Sequence, residues 1–223
     1  MPESTRHKTL CNGLLDIVRG HLGPAHTVAS DAFVYFDASS ANRKLAPDVF
    51  VKFGAPTHDF ESWQTWVEGG VPELCIEILS PSDSPETITF ETKIERYHAL
   101  GTTELLVFHA DGEPGQRLRA WDRVEGDLIE RVVEDEKTPC LLLDAYAVVA
   151  PLAGHPAGLR IARDPAGVDL VRTTEEELEL ARTGQRVAEE ERRVAEEERR
   201  ATEEKLREAM ARIASLESGR SKD

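Results

Sequence analysis

Leu10, Leu14, Ile17, Val18 and Leu22 recur at spacings of three and four in KTLCNGLLDIVRGHL, the period of one apolar helix face. The pattern predicts an amphipathic helix that LGPAH terminates. HTVASDAFVYFDA and PDVFVKFG follow, rich in Val, Phe and Tyr and bounded by turn residues. They predict two strands, with SSANRK between them as a hairpin loop. After the polar, Trp-containing insertion APTHDFESWQTWVEGG, ELCIEILS predicts a third strand, ended by the breakers of SPSDSP. A helix from Ile88 to Leu100 stops at Gly101, TELLVFHA supplies a fourth strand, and RLRAWDRVEGDLIERVVE alternates about VEGD as an antiparallel hairpin. CLLLDAYAVVAPLAG adds a short apolar strand and a helix-like turn, and HPAGLRIARDPAGVDLVRT reads as a loop-rich cover over one edge. The core ends near Val171.

From Thr174 to Leu216 the chain has no proline and runs through an approximate seven-residue repeat, RVAEEER RVAEEER RATEEKL, the signature of one long helix. Glu189 with Arg193, Glu196 with Arg200, Glu203 with Arg207 and Glu208 with Arg212 stand in the favourable i,i+4 order, each pair contributing about 0.3–0.5 kcal/mol. The seam residues Val187, Val194 and Ala201 are small, while Leu206, Met210, Ile213 and Leu216 form a stripe in a shifted phase. Two readings stand: a weak dimeric coiled coil, or a solvated single helix.

The 223 residues, 40% of them hydrophobic, suffice for one sizeable core and an extension. Cys11, Cys75 and Cys140 are far apart and lack C-x-x-C spacing, so neither a disulfide framework nor a structural zinc site is indicated, and a reducing, cytoplasmic setting is expected. No leader-like run and no apolar run of about 18 residues occurs, so a soluble, unexported chain is expected. The net charge of −15, roughly −12 of it before Arg172, repels polyanions and argues against a broad nucleic-acid footprint.

Two charges fall on apolar faces. Strand alternation puts Glu73, Cys75, Glu77 and Leu79 on one side of the third strand and Leu74, Ile76 and Ile78 on the other. A carboxylate in mid-strand must be paired, protonated or bound to a cation. Asp48 heads the preceding strand, so neighbouring strands would converge two carboxylates, a donor set for a hard cation such as Mg²⁺. On the next helix Phe90, Ile94, Tyr97 and Leu100 mark the apolar face, and Lys93 falls inside the same arc, flanked by Glu95 and Arg96 on the outer faces. A structural reading, a partly buried Glu–Lys bridge beside a turn Asp, stands next to the functional one. Phe60, Trp63 and Trp66 could stack on bases, although packing against a sheet edge is the simpler role. His58, His98 and His109 lack metal-ligand spacing. Ser80 and Ser82 have no G-x-S-x-G, and no P-loop is present.

Taken in order, PDVFVKFG, PELCIEILSPS, ETKIERYHALGTTELLVF and the hairpin RLRAWDRVEGDLIE resemble the Uma family of restriction-endonuclease-like proteins, a bacterial branch of the PD-(D/E)xK nuclease superfamily. The likeness runs from Leu10 to Pro151. It implies an α/β fold, a restriction-endonuclease-like αβββαβ core with a mixed sheet and a C-terminal hairpin; together with the patterns above, the chain divides into such a domain over residues 1–171 and a charged helical or weakly coiled-coil extension over 172–223. It also implies a Mg²⁺- or Mn²⁺-dependent DNA endonuclease in which Asp48 and Glu77 hold the metal and Lys93 orients or activates water. In the usual motif the lysine follows the acid by two residues, a position that Leu79 occupies here. Thr89 stands where the family commonly has an Asp, and Glu104-Leu105-Leu106 stands where it has an aromatic EYW. The alternative is a catalytically inactive nuclease-fold module that dimerises or docks on a protein partner through its C-terminal helix. A carboxylate-pair glycosidase fits less well, because Lys93 would be an odd neighbour and no aromatic sugar platform is evident.

Overall fold

The computed structural model describes residues 4–79 and 89–220, with side chains through Arg212. The breaker run at Ser80–Pro85 and the expected helix start at Ile88 lie outside the described residues. Two compact units are present, Met1–Thr174 and Glu175–Asp223.

The first unit opens with α1 (Thr5–Leu22), capped by the Ser4 hydroxyl, which accepts from the His7 backbone N–H. This helix begins before the apolar repeat does, so His7 lies in its first turn. The strands β1 (Thr27–Ala29), β2 (Val34–Tyr35), β3 (Lys44–Leu45), β4 (Val49–Lys52), β5 (Trp63–Gln64) and β6 (Leu74–Leu79) follow. Then come α2 (Phe90–Leu100), β7 (Glu104–His109), the hairpin β8 (Leu118–Val124) and β9 (Asp127–Arg131), and β10 (Lys137–Cys140). A 3₁₀ turn at Leu141–Leu143, β11 (Ala145–Leu152) and β12 (His155–Ala162) complete this unit, and α3 (Thr174–Arg220) is the long helix.

Six strands form the main sheet in the order β1-β4-β6-β7-β8-β9. It is mixed: β6 runs parallel to β7, as the α2 crossover requires, and antiparallel to β4. The αβββαβ order expected from the sequence is therefore present, with β1, β4 and β6 as its first three sheet strands. The hairpin turn has Glu125 at φ 51° and Gly126 at φ 100°, the two positive values of a type I′ connection.

Two expectations are corrected. HTVASDAFVYFDA is not one strand: Asp31, at φ 53°, takes a left-handed conformation that interrupts extended chain, leaving β1 in the main sheet and β2 in a separate one. That small sheet has the order β3-β2-β5, so SSANRK does close a hairpin, but one between β2 and β3. HPAGLRIARDPAGVDLVRT is not loop-rich throughout, because β12 pairs along β11 in a second three-stranded sheet, β10-β11-β12.

Both faces of the main sheet are covered, which is why β6 reads as a nearly continuous apolar run. On one face α1 and the second sheet pack against Val49, Val51, Leu74, Ile76, Ile78, Leu106 and Phe108. On the other, α2 and the small sheet pack against Phe50, Cys75, Leu105 and Val107. Trp63 is fully buried there, donates from Nε1 to the Gly70 carbonyl at 2.8 Å and meets both Phe50 and Phe60 edge-on. It is a packing residue, whereas Trp66 is half exposed.

In the second unit, no described residue of α3 is buried. Arg193 pairs with Glu190 at 2.6 Å and Glu197 at 2.8 Å, while Glu189 accepts from Gln185. The Glu189–Arg193 pair expected from the repeat is thus replaced by other one-turn partners. These pairs are well exposed and each contributes little. Among the described residues no helix is long and apolar enough to cross a membrane.

Gly158 in β12 shows how closely the second sheet and α1 meet. A Cβ there would lie 2.6 Å from Leu152 Cβ and 3.1 Å from Leu10 Cδ2. Since Leu152 Cβ moves only with its backbone, Gly158→Ala should destabilise the fold by about 1–3 kcal/mol, read as a lower denaturant midpoint with an unchanged slope. An unchanged midpoint would contradict this packing.

Candidate active site

The register of β4 on β6 brings the two acids together. Val49 stands opposite Ile76 and Phe50 opposite Cys75, so the ladder's continuation sets Asp48, one residue ahead of β4, across from Glu77. Asp48 is locked there by its neighbours: the Ile78 backbone N–H donates to Oδ2 at 2.6 Å and His7 Nε2 lies 2.9 Å from Oδ1.

Glu77 is 3% exposed and faces α2, as alternation requires. Lys93 Nζ donates to its Oε2 at 2.6 Å, and the Tyr97 hydroxyl donates to Oε1. Lys93 and Tyr97 are four residues apart and so share a helix face. The Lys93 side chain remains 22% exposed while its ammonium reaches the buried acid. The position that would carry the usual motif's lysine, Leu79, packs into the apolar cluster under α2.

Burial pushes the Glu77 carboxyl up to about 7. The Lys93 ammonium opposes this, the negative charge of Asp48 reinforces it, and the hydrogen bonds from Lys93 and Tyr97 pull it back down. Tyr97 is held well above its ordinary value by its own burial first and the Glu77 charge second. The site therefore keeps one carboxylate poised between charged and neutral forms.

Two departures from the family pattern have a physical account. Thr89 is the N-cap of α2, its hydroxyl accepting from the Thr92 N–H at 3.2 Å, a task that Thr and Asp both perform. Glu104, 1% exposed, accepts from Arg131 at 2.5 Å and from the Leu142 N–H at 3.2 Å, so it ties β7 to β9 and to the 3₁₀ turn.

Three participants were not singled out in the sequence. Tyr97 counted only as an apolar-face residue. His7 and Cys11, four apart on α1, bring their ligand atoms with that of Asp48 within 4.8 Å of one another. The i,i+4 spacing of a His and a Cys was the available signal. His58 and His98 are exposed partners of Glu68 and Asp127.

The donor set suits a hard divalent cation. An ionised carboxylate has about four acceptor sites, of which Lys93 and Tyr97 engage two on Glu77. Asp48 and Glu77 could thus hold such an ion while keeping their protein partners.

Holding a proton on Glu77 stabilises the fold fully below its ordinary 4.5, and this contribution is lost as pH rises toward about 7. In chelator, the stability of the wild-type protein minus that of Glu77→Gln should therefore fall between about pH 5 and about pH 8, read by urea unfolding. A difference that is flat or rises would contradict the burial assigned to this group.

Residues 1–148 match the profile of the Uma2 family, described as "Putative restriction endonuclease". Among solved structures, the chain is similar to "a putative nuclease belonging to DUF820 from Anabaena variabilis ATCC 29413", at 15% identity and a TM-score of 0.46, covering 64% of this chain and 75% of that one. No curated protein matches. The matched segment runs from α1 into β11 and contains Asp48, Glu77 and Lys93, and the chain belongs to the Uma2 family of restriction-endonuclease-like proteins.

Proposed function

We propose that the protein is a metal-dependent DNA endonuclease that hydrolyses phosphodiester bonds. Restriction-endonuclease-like proteins generally use divalent metal ions; the assignment of Mg²⁺ or Mn²⁺ to Asp48 and Glu77 is part of the proposal. The observation that carries it is the convergence of Asp48, Glu77 and Lys93 at one end of the β4–β6 ladder, with Lys93 Nζ 2.6 Å from Glu77.

When bound, the cation would lower the pKa of a water and neutralise charge on the phosphate. The chain's own groups supply position. The Ile78 N–H and His7 fix the Asp48 carboxylate, and Tyr97 fixes that of Glu77. Lys93 carries the only role that needs motion: its ammonium, already at the acid, would turn to hold the attacking water or a non-bridging phosphate oxygen as negative charge builds there. The water oxygen forms the new P–O bond and releases a proton to solvent as the ester P–O bond breaks, and the leaving alkoxide takes up a proton, giving one phosphate end and one hydroxyl end. A net charge of −15 predicts weak, salt-sensitive binding outside this local patch.

A second reading, a nuclease-fold module without activity that dimerises or docks through α3, is favoured by one observation: a 47-residue helix with no buried described residue. Plasmid and single-stranded DNA cleavage at low salt with Mg²⁺ or Mn²⁺ separates the two. Wild type should cleave, and Glu77→Ala and Lys93→Ala should each lose about 10²-fold or more with an unchanged circular dichroism spectrum. Absence of cleavage by the folded wild type would shift the account to the module reading.

A further inference from the structure

On the α1 side of Asp48 stand His7, whose part in the proposed hydrolysis is only to orient that carboxylate, and Cys11, which has no part in it. His7 and Cys11 project from successive turns of α1 toward the start of β4, and one ligand atom from each lies within 4.8 Å of the others and of the Asp48 carboxylate. His7 is 6% exposed, Cys11 9%, and the Asp48 side chain 14%. Three potential ligands of three kinds, imidazole, thiol and carboxylate, thus meet at a largely buried spot.

We propose that His7, Cys11 and Asp48 form a cation site for a borderline divalent metal such as Zn²⁺ or Co²⁺. It is distinct in chemistry from the oxygen-only pair Asp48 and Glu77. A thiolate and an imidazole select against Mg²⁺, which demands oxygen ligands, and in favour of late first-row ions. Three protein ligands are the number at which such ions keep a fourth, exchangeable position for water.

Between His7 and Asp48 the geometry asks for little movement, and Cys11 need close at most from 4.8 Å. Tetrahedral ligands on such an ion stand roughly 3.4–3.6 Å apart. The contact between His7 Nε2 and Asp48 Oδ1, 2.9 Å, would therefore open by about half an ångström and be replaced by two metal bonds. The backbone around the site is held in place. The Ile78 N–H holds the other oxygen of Asp48, and the helix cap at Ser4 holds the backbone of His7. Cys11 is set by its helix, whose neighbouring residues Leu10 and Leu14 are fully buried.

The inference does not rest on the nuclease reading, since it uses neither Glu77 nor Lys93. The two sites share Asp48, so an ion seated on His7 and Cys11 would compete for the carboxylate that the hydrolytic cation needs.

The test is titration of the full chain with Co²⁺ in oxygen-free buffer containing a non-thiol reductant, followed by absorption. A thiolate-to-Co²⁺ band in the near ultraviolet should saturate at about one equivalent, with visible bands of tetrahedral intensity, and Zn²⁺ should abolish both. The band should disappear in Cys11→Ser, fall by at least tenfold in apparent affinity in His7→Gln, and persist in Glu77→Gln. Far-ultraviolet circular dichroism establishes that each variant is folded, and His7→Gln decides alone if Cys11→Ser is not. Absence of a thiolate band in wild type, its survival in Cys11→Ser, or full affinity in His7→Gln overturns the proposal. Loss of DNA cleavage with the Co²⁺ band intact would reject only the hydrolytic reading.

Discussion

The buried carboxylate of Glu77, clasped between Lys93 and Tyr97, fixes how β6 and α2 must meet. A lone charge at that depth is costly, and removing one partner from such a pair typically costs about 3–5 kcal/mol. Register follows from it. A one-residue slip of β6 would turn Glu77 into the cluster of Leu10, Ile17 and Phe108 and expose Ile76 and Ile78 to the α2 side. Because β6 pairs with β4 on one edge and β7 on the other, the same constraint sets Asp48 across from Glu77 and aligns the parallel pair behind it. The acid that would bind a cation is therefore also the residue that makes the sheet's alignment unambiguous.

Around that ladder the scaffold is held by polar ties placed where sheets and turns meet. Glu104 joins β7 to Arg131 at the end of β9 and to the turn leading into β11, and Arg117 grips Glu136 through two nitrogens at 2.8 and 2.6 Å. Such bidentate bonds orient as well as attract. They leave the site on strand and helix backbone, with both carboxylates positioned by groups that are themselves packed. That is the condition for holding a cation and a phosphate in a fixed relation.

Much of this was legible in the sequence because it depends on period. Alternation assigned Glu77 to the face of Cys75, and helical spacing assigned Lys93 to the face of Tyr97, and both placements follow from covalent geometry. What period does not report was missed. Asp31 breaks a run of good strand formers by adopting a positive φ, and no apolar count registers that. Gly158 and Pro156 made β12 look like loop, yet Gly158 is there to admit Leu152 and Leu10, and Pro156 lies near the start of an edge strand, where a missing N–H is tolerated. His7 escaped notice because the first turn of α1 carries no apolar repeat, only a Ser cap. Tyr97 served the apolar face and the buried acid at once, and a pattern that sorts residues into apolar and polar can report only one of these.

The sequence's acidity and the nuclease family would conflict if binding relied on a broad basic surface. They are compatible if the attraction is local, supplied by a cation on Asp48 and Glu77 and by Lys93 beside it. Mn²⁺ binding to the full chain, followed by electron paramagnetic resonance of the free ion, tests that claim most directly. One tight site is predicted in the wild type, lost in Glu77→Gln and in Asp48→Asn and retained in Lys93→Met. Equal binding by wild type and Glu77→Gln, or none by the folded wild type, would contradict the account.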